Sequence, residues 1–367
     1  MSKKVGATIW RYSRWTFLVS LGLIVLAVGS LAIYLAMPIS TLPFRDVQGN
    51  VLPRSIASVE WWRLNGIEQS VMLRGRDVSN PILIWIHGGP GTSETALFRH
   101  YNAALEDHFL VVYWTQPYAG QSLDPFGPAP TSEKIGDYVS DLGQLIDRLR
   151  SRFHRDKVVL IAHSWGTVPG LLYVERHPER VSAYVGIGQV ANTPESEKRS
   201  YAFVLGRARL RGDVDTIARL TAMGPPPWKT GPPFTPRDLL MKYGGSFHAD
   251  MGIGTLAFVT MRASEANWRD FAAILLIAKF NGLSMHEFAS TSLDENHRRF
   301  AAPIFFLSGR YDHQVDAALA ERYLERIDAP EKRFVWFEQS GHGPPFEEPD
   351  KFNRWVVRTI FPLARDS

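Results

Sequence analysis

The 367-residue sequence contains no cysteine. This excludes thiolate metal sites, iron–sulfur clusters, a thiol nucleophile, a lipidated cysteine anchor and any disulfide framework. Low-complexity tracts are also missing. Charged residues make up 21% of the chain against 45% apolar, which excludes a mainly disordered chain and supplies a full core. Among the 11 histidines no His-Glu-x-x-His or comparable spacing occurs, so no metal site is expected. There is no phosphate-binding G-x-x-x-x-G-K-[ST] loop, and no dinucleotide fingerprint follows a strand, so no cofactor is expected. The formal charge of +4 is local: Lys3, Lys4, Arg11 and Arg14 precede residue 38 and no acidic residue does. The remaining 37 basic residues balance 37 acidic ones, so nothing requires the basic face that nucleic acid needs.

What the chain does have begins with a charge-free run from Trp15 to Met37, closed by Pro38. As a helix its 23 residues would extend roughly 34 Å, enough for a hydrocarbon core of about 30 Å. The basic residues before it place the N-terminus in the cytoplasm and the rest of the chain across the membrane. Trp10, Tyr12 and Trp15 suit the interface. The expectation is a single-pass anchor in the lipid bilayer through residues 15–37. A secreted chain after signal cleavage is the alternative, although a cleaved signal has a shorter apolar region of about 7–15 residues.

Residues 38–57 read as a Pro/Gly-containing linker. Val59–Leu64 and Ile67–Leu73 flank Asn65-Gly66, a strong hairpin signal. Ile82–Ile86, Phe109–Trp114, Val158–Ala162 and Val181–Ile187 are short continuous apolar runs, as strands buried on both faces are. Between them, Tyr138, Val139, Leu142, Leu145, Ile146 and Leu149 mark one helical face, and Val168–Arg176 reads as a helix. After Gln189, for about a hundred residues, the period is helical and no convincing strand occurs; Gly224–Pro236 is a proline-rich break. Strand and helix then resume at Pro303–Leu307, Ala317–Ile327, Arg333–Phe337 and Asp350–Ile360. The fold expected is α/β, a mostly parallel sheet with helices on both faces. Residues 58–189 and 297–367 form its core, and 190–296 a helical cap.

Ala162-His163-Ser164-Trp165-Gly166 joins a buried strand to a helix. It nearly matches G-x-S-x-G, where a sharp turn exposes a serine and needs small flanking residues. A serine hydroxyl requires a base, and the base requires an orienting group. Asp312 and His342 follow later strands in the order Ser, Asp, His; Asp316 is a second candidate for the orienter. Backbone N–H groups of Gly89, in the loop after Ile86, and of Trp165 are the expected oxyanion donors. His87 is expected to brace the glycine loop.

His87-Gly88-Gly89-Pro90-Gly91, the Ser-Trp-Gly elbow and the Asp312 and His342 loops resemble the proline iminopeptidase branch of the α/β-hydrolase superfamily, over roughly residues 58–362. Pro194–Tyr201 and Gly224–Pro227 resemble the cap of that branch. The resemblance implies a capped serine hydrolase that acts as an aminopeptidase on N-terminal proline, through an acyl-enzyme on Ser164. The chain departs from the family's Asp-Gln-Arg-Gly-x-Gly-x-Ser stretch, carrying Thr115-Gln116-Pro117-Tyr118-Ala119-Gly120-Gln121-Ser122 instead. An amine-reading enzyme needs a carboxylate; Glu195, Glu197 and Glu265 are candidates, with Trp228 as an apolar wall. The expected partner is a small-molecule or short-peptide substrate. An esterase, lactonase or lipid-acyl hydrolase would use the same three side chains, and a non-catalytic receptor on the same fold would need none of them.

Overall fold

The computed structural model describes residues 15–30, 38–228, 233–248 and 251–365. Residues 15–30 form a helix whose large apolar side chains are exposed. The remainder of the expected span, 31–37, lies outside the described residues. Among the described residues no helix is long and apolar enough to cross a membrane.

Residues from Ser40 onward form the second unit. The eight strands described there are β1 (Ile56–Leu64), β2 (Ile67–Gly75), β3 (Ile82–Ile86), β4 (Leu110–Trp114), β5 (Val158–His163), β6 (Val181–Ile187), β7 (Ile304–Gly309) and β8 (Lys332–Phe337). They make one sheet in the order β1-β2-β4-β3-β5-β6-β7-β8. β2 is antiparallel to β1 and β4, and the other pairs are parallel. The β1–β2 turn uses Asn65 and Gly66 at φ +43° and +85°, the paired left-handed residues that a two-residue hairpin demands.

The central strands are buried on both faces because helices cover both. On β3, Ile82, Ile84 and Ile86 enter one apolar cluster and Leu83 and Trp85 the other, as alternating side chains must. Helices α1 (Thr95–Asn102), α2 (Ile135–Phe153) and α3 (Thr167–Arg176) follow β3, β4 and β5. Seven described helices separate β6 from β7: α4 (Thr193–Arg211), α5 (Val214–Met223), α6 (Arg237–Lys242), α7 (Ile253–Arg262), α8 (Trp268–Phe280), α9 (Gly282–Ala289) and α10 (Leu293–Asn296). α11 (Ala317–Arg326) follows β7, and α12 (Pro344–Glu347) follows β8. Helix α4 starts eight residues before the sequence reading of Tyr201, because Asn192 caps it, accepting from Glu195 N–H at 3.0 Å. The long insertion begins and ends at one point. Thr193 N–H donates to Thr291 O at 2.9 Å, and Asn192 Nδ2 to Ser292 Oγ at 2.9 Å.

The turn from β5 into α3 holds Ser164 at φ +51°. A methyl on Gly166 would stand 2.5 Å from Ile86 O and 2.6 Å from His87 O, so only glycine passes there. Ala162, the departure from the elbow pattern, is accommodated by Gly170 on α3, where a methyl would lie 3.3 Å from Ala162 Cβ. Gly166→Ala should therefore cost about 1–3 kcal/mol through overpacking against fixed backbone. Ala162→Gly should cost only about 1 kcal/mol, the penalty of glycine inside a strand. Urea denaturation of both variants checks the order; equal losses would refute it.

Candidate active site

The glycine loop after β3 is locked before any substrate arrives. His87 Nε2 accepts the Gln116 N–H at 2.9 Å, and its Nδ1 donates to Gly88 O at 2.6 Å. Burial pushes the His87 pKa down, consistent with that neutral tautomer. Gln116 Nε2 returns a bond to His87 O at 2.7 Å, and Gln116 Oε1 accepts from the Trp165 indole at 2.9 Å. The loop and the elbow are thus joined through a glutamine that survives in the altered Thr115–Ser122 stretch. Tyr118, where the family pattern has glycine, sustains φ +60° and stacks on Phe280 at 6.2 Å. A left-handed non-glycine residue costs roughly 1–2 kcal/mol, so its packing must offset that.

At the ends of β7 and β8, His342 Nδ1 donates to Asp312 Oδ2 at 2.8 Å, and both residues are buried. Asp312 Oδ1 accepts the Gln314 and Val315 N–H groups, each at 2.9 Å. Asp316 instead caps α11 and pairs with Arg199 at 3.2 Å. His342 Nε2 is buried without a hydrogen-bond partner and belongs to the ring that lines a cleft of about 270 Å³ together with Ser164 and Gly89. The rest of the lining is largely apolar, including Phe234, Phe247, Ile277, Met285 and Phe288. The imidazole rests on Gly188 at the end of β6, where a methyl would come within 2.8 Å of His342 Cε1. Glu347 on α12 brackets the histidine, accepting from Gly341 N–H at 3.0 Å and Gly343 N–H at 2.9 Å. Burial raises its pKa to about 7 although these donors favour the carboxylate.

A second buried pair adjoins the first. His163 Nδ1 lies 2.8 Å from Glu94 Oε1, and His163 Nε2 lies 2.9 Å from His342 O. Glu94 Oε2 accepts the Gly88 N–H at 2.9 Å. Both imidazole nitrogens of His163 face acceptors, so both donate and the ring is a cation. Burial opposes both charges, but their mutual attraction outweighs it, raising His163 and lowering Glu94. One carboxylate thus ties together the glycine loop, the elbow and the histidine loop. Sequence reasoning missed Glu94, Glu347 and Gly188, because their neighbours are backbone groups or side chains distant in sequence, His163 for Glu94 and His342 for Gly188.

Ser164, Asp312, His342 and Gly89 are brought to one edge of the sheet. Glu195, Glu197, Glu265 and Trp228 are placed elsewhere, since none lines this cleft and each is already engaged. Glu195 pairs with Arg199 at 3.2 Å on the cap surface. Glu197 is buried against Arg237 at 2.8 Å and accepts the Thr235 N–H at 2.6 Å. Glu265 is buried against Arg99 at 2.7 Å. Trp228 donates to Gly224 O at 2.9 Å. Among the described residues no cluster suited to a metal ion occurs.

A family model described as the alpha/beta hydrolase fold matches residues 81–219. The probable aminopeptidase YbaC of Bacillus subtilis is 30% identical over 322 residues, covering 83% of this chain and 96% of that protein. The chain belongs to the α/β-hydrolase superfamily. Two solved structures share the fold of this hydrolase. A proline iminopeptidase from Mycobacterium smegmatis aligns with TM-score 0.60 at 16% identity, over 84% of this chain and 99% of that one. A proline iminopeptidase-related protein from Thermus thermophilus aligns with TM-score 0.58 at 19% identity, again over 84% and 99%.

The Glu94–His163 pair sets a pH window. Glu94 titrates below its ordinary 4.5 and His163 above its ordinary 6.5. Their stabilisation is therefore complete between those values. It is lost as pH falls through the depressed Glu94 pKa or rises through the raised His163 pKa. Glu94→Gln should cost about 3 kcal/mol inside the window and less on the alkaline side. Denaturation midpoints of both proteins across pH check this, and a pH-independent difference would contradict it.

Proposed function

We propose that this hydrolase cleaves esters or amides through an acyl-enzyme on Ser164. The observation that carries the reading is the 2.8 Å Asp312–His342 pair, whose ring shares a cleft with a serine held in a left-handed turn. Ser164 Oγ attacks the substrate carbonyl carbon while His342 Nε2 takes the hydroxyl proton. Asp312 holds the imidazole and stabilises its charged form. The tetrahedral oxyanion is met by the N–H groups of Gly89 and Trp165. The intermediate collapses, the alcohol or amine leaves with the proton from His342, and the acyl group stays on Ser164. Water, deprotonated by the same imidazole, then releases the acid.

For the substrate, an N-terminal prolyl peptide is the first proposal. It is supported by the relatives whose names are aminopeptidase and proline iminopeptidase. A second reading, an ester, lactone or lipid-derived acyl group, is favoured by a specific observation. The one carboxylate among the described cleft residues is Glu94, already committed to His163 and Gly88, so no unpaired carboxylate awaits an ammonium group. Ser164→Ala should abolish fluorophosphonate labelling and lower turnover on the order of 10⁴-fold or more. The wild-type protein is compared on proline naphthylamide and short p-nitrophenyl esters. Ester turnover alone selects the second reading, and an unlabelled, folded wild-type protein rejects both.

We also propose that residues 15–37 anchor the chain, with the N-terminus cytoplasmic and the hydrolase domain on the other side of the membrane. The support is the charge-free run and the four basic residues before it. Full-length protein should stay with membranes through an alkaline carbonate wash. Release of a shortened chain would instead select signal cleavage and secretion.

A further inference from the structure

Helices α7 and α8 break the usual rule for surface helices. Their sequences, IGTLAFVTMR and WRDFAAILLIAKF, are apolar on nearly every side. Such helices are ordinarily buried, or meet lipid. Yet on α7 only Val259 is buried, and on α8 only Asp270, Ala273 and Phe280. Ile253, Phe258, Met261, Ile274 and Leu275 are all exposed, Leu275 to 84%. Scattered single apolar residues need no explanation, but two successive helices that expose them mark an interaction surface.

The charges on this segment are sorted. Between residues 251 and 283 the acidic residues are Glu265 and Asp270, and both are buried. The basic ones are Arg262, Arg269 and Lys279, and all three reach solvent in whole or part. An apolar segment whose own exposed charges are all basic matches an interface between acyl chains and anionic headgroups. A soluble protein partner would not require that sorting.

The chain itself ties this segment to the linker. Ser40 N–H donates to Ser264 O at 2.9 Å, and Ser264 lies in the turn between α7 and α8. If residues 15–37 span the bilayer, three residue steps separate Met37 from Ser40, at most about 11 Å when extended. On that reading the chain length alone keeps the α7–α8 turn within reach of the membrane surface.

From these three observations we infer that α7 and α8 dock on the surface of an anionic lipid bilayer. The inference rests on the anchor reading above and goes beyond it, because an anchored domain could equally hang free on its linker. Phe258, Met261, Ile274 and Leu275 enter the interface, and Arg262, Arg269 and Lys279 meet headgroup phosphates. Helix α8 also supplies Ile277 to the catalytic cleft, so docking brings one wall of that cleft to the lipid.

The absence of cysteine makes the test direct. Full-length protein carrying one substitution, Phe258→Cys, Leu275→Cys, Leu210→Cys or Val25→Cys, is labelled with an environment-sensitive fluorophore. Each is reconstituted into phosphatidylcholine–phosphatidylglycerol vesicles. Leu210 is exposed on α4 and serves as the aqueous control; Val25 reports the anchor. Positions 258 and 275 should show blue-shifted emission and severalfold quenching by lipid-borne nitroxide, while 210 responds to aqueous iodide. Quenching of 275 by iodide, with 25 quenched by lipid, overturns docking and leaves the anchor intact. Protection of 275 from both quenchers means that a protein covers it, and also overturns the inference. If 25 too is reached by iodide, the anchor fails and docking fails with it. A further arm uses Ile274→Glu with Leu275→Glu: lipid quenching at 258 should be lost while turnover of a soluble short ester is unchanged. Retained quenching would count against docking.

Discussion

One backbone residue in a left-handed conformation organises the catalytic edge. Ser164 cannot adopt φ +51° unless the chain turns at once from β5 into α3, and that turn forces the helix against the carbonyls of Ile86 and His87. The need for glycine at 166, and for a small side chain at 170 to accept Ala162, follows from this closeness. So does the rigidity of the loop after β3, which passes close beside the serine. A bulky or mobile loop could not approach so near, and His87 and Gln116 remove its remaining freedom through paired hydrogen bonds. Strain at Ser164 is thus supported by the hydrogen-bonded loop beside it.

The second theme is charge held neutral. Three buried carboxylates in or near the cleft have a committed side-chain partner: Asp312 has His342, Glu94 has His163, and Glu197 has Arg237. Buried ions are tolerated only in such pairs. The effect is a cavity with much fixed polarity at its base and little net charge facing a ligand. Developing charge on a carbonyl oxygen would then be the largest unbalanced field in the site, the setting in which oriented N–H donors act most strongly.

Much of this is legible in the sequence alone. Parallel strands buried on both faces are written as unbroken apolar runs, so β3, β5 and β6 can be read within a residue, and the Asn-Gly hairpin is explicit. The order of Ser164, Asp312 and His342 at strand ends is equally visible. What is not visible depends on distance or on burial. Glu265 looks like any helix-end acid until Arg99, far back in the chain, is folded against it. Glu94 carries no local signature, since its role arises where three loops meet. Helix α7 has no apolar stripe because it is apolar throughout, and periodicity cannot detect a face that is not distinguished from the others. The start of α4 is different: Asn192, Pro194 and Glu195 spell a capping signal that a reading based on hydrophobic period passes over.

The insertion between β6 and β7 leaves and rejoins the sheet at a single stem, where Ala191–Thr193 is bonded to Thr291–Leu293. Between those ends it leans on the rest of the fold: Ser246 O accepts the His342 N–H, His313 N–H donates to Gly245 O at 2.9 Å, and Glu265 pairs with Arg99 at 2.7 Å. Reshaping the insertion would leave the register of the strands untouched, but at Ser246 it would reach the backbone of His342. The same inserted segment therefore shapes what the cleft admits and helps to seat His342 within it.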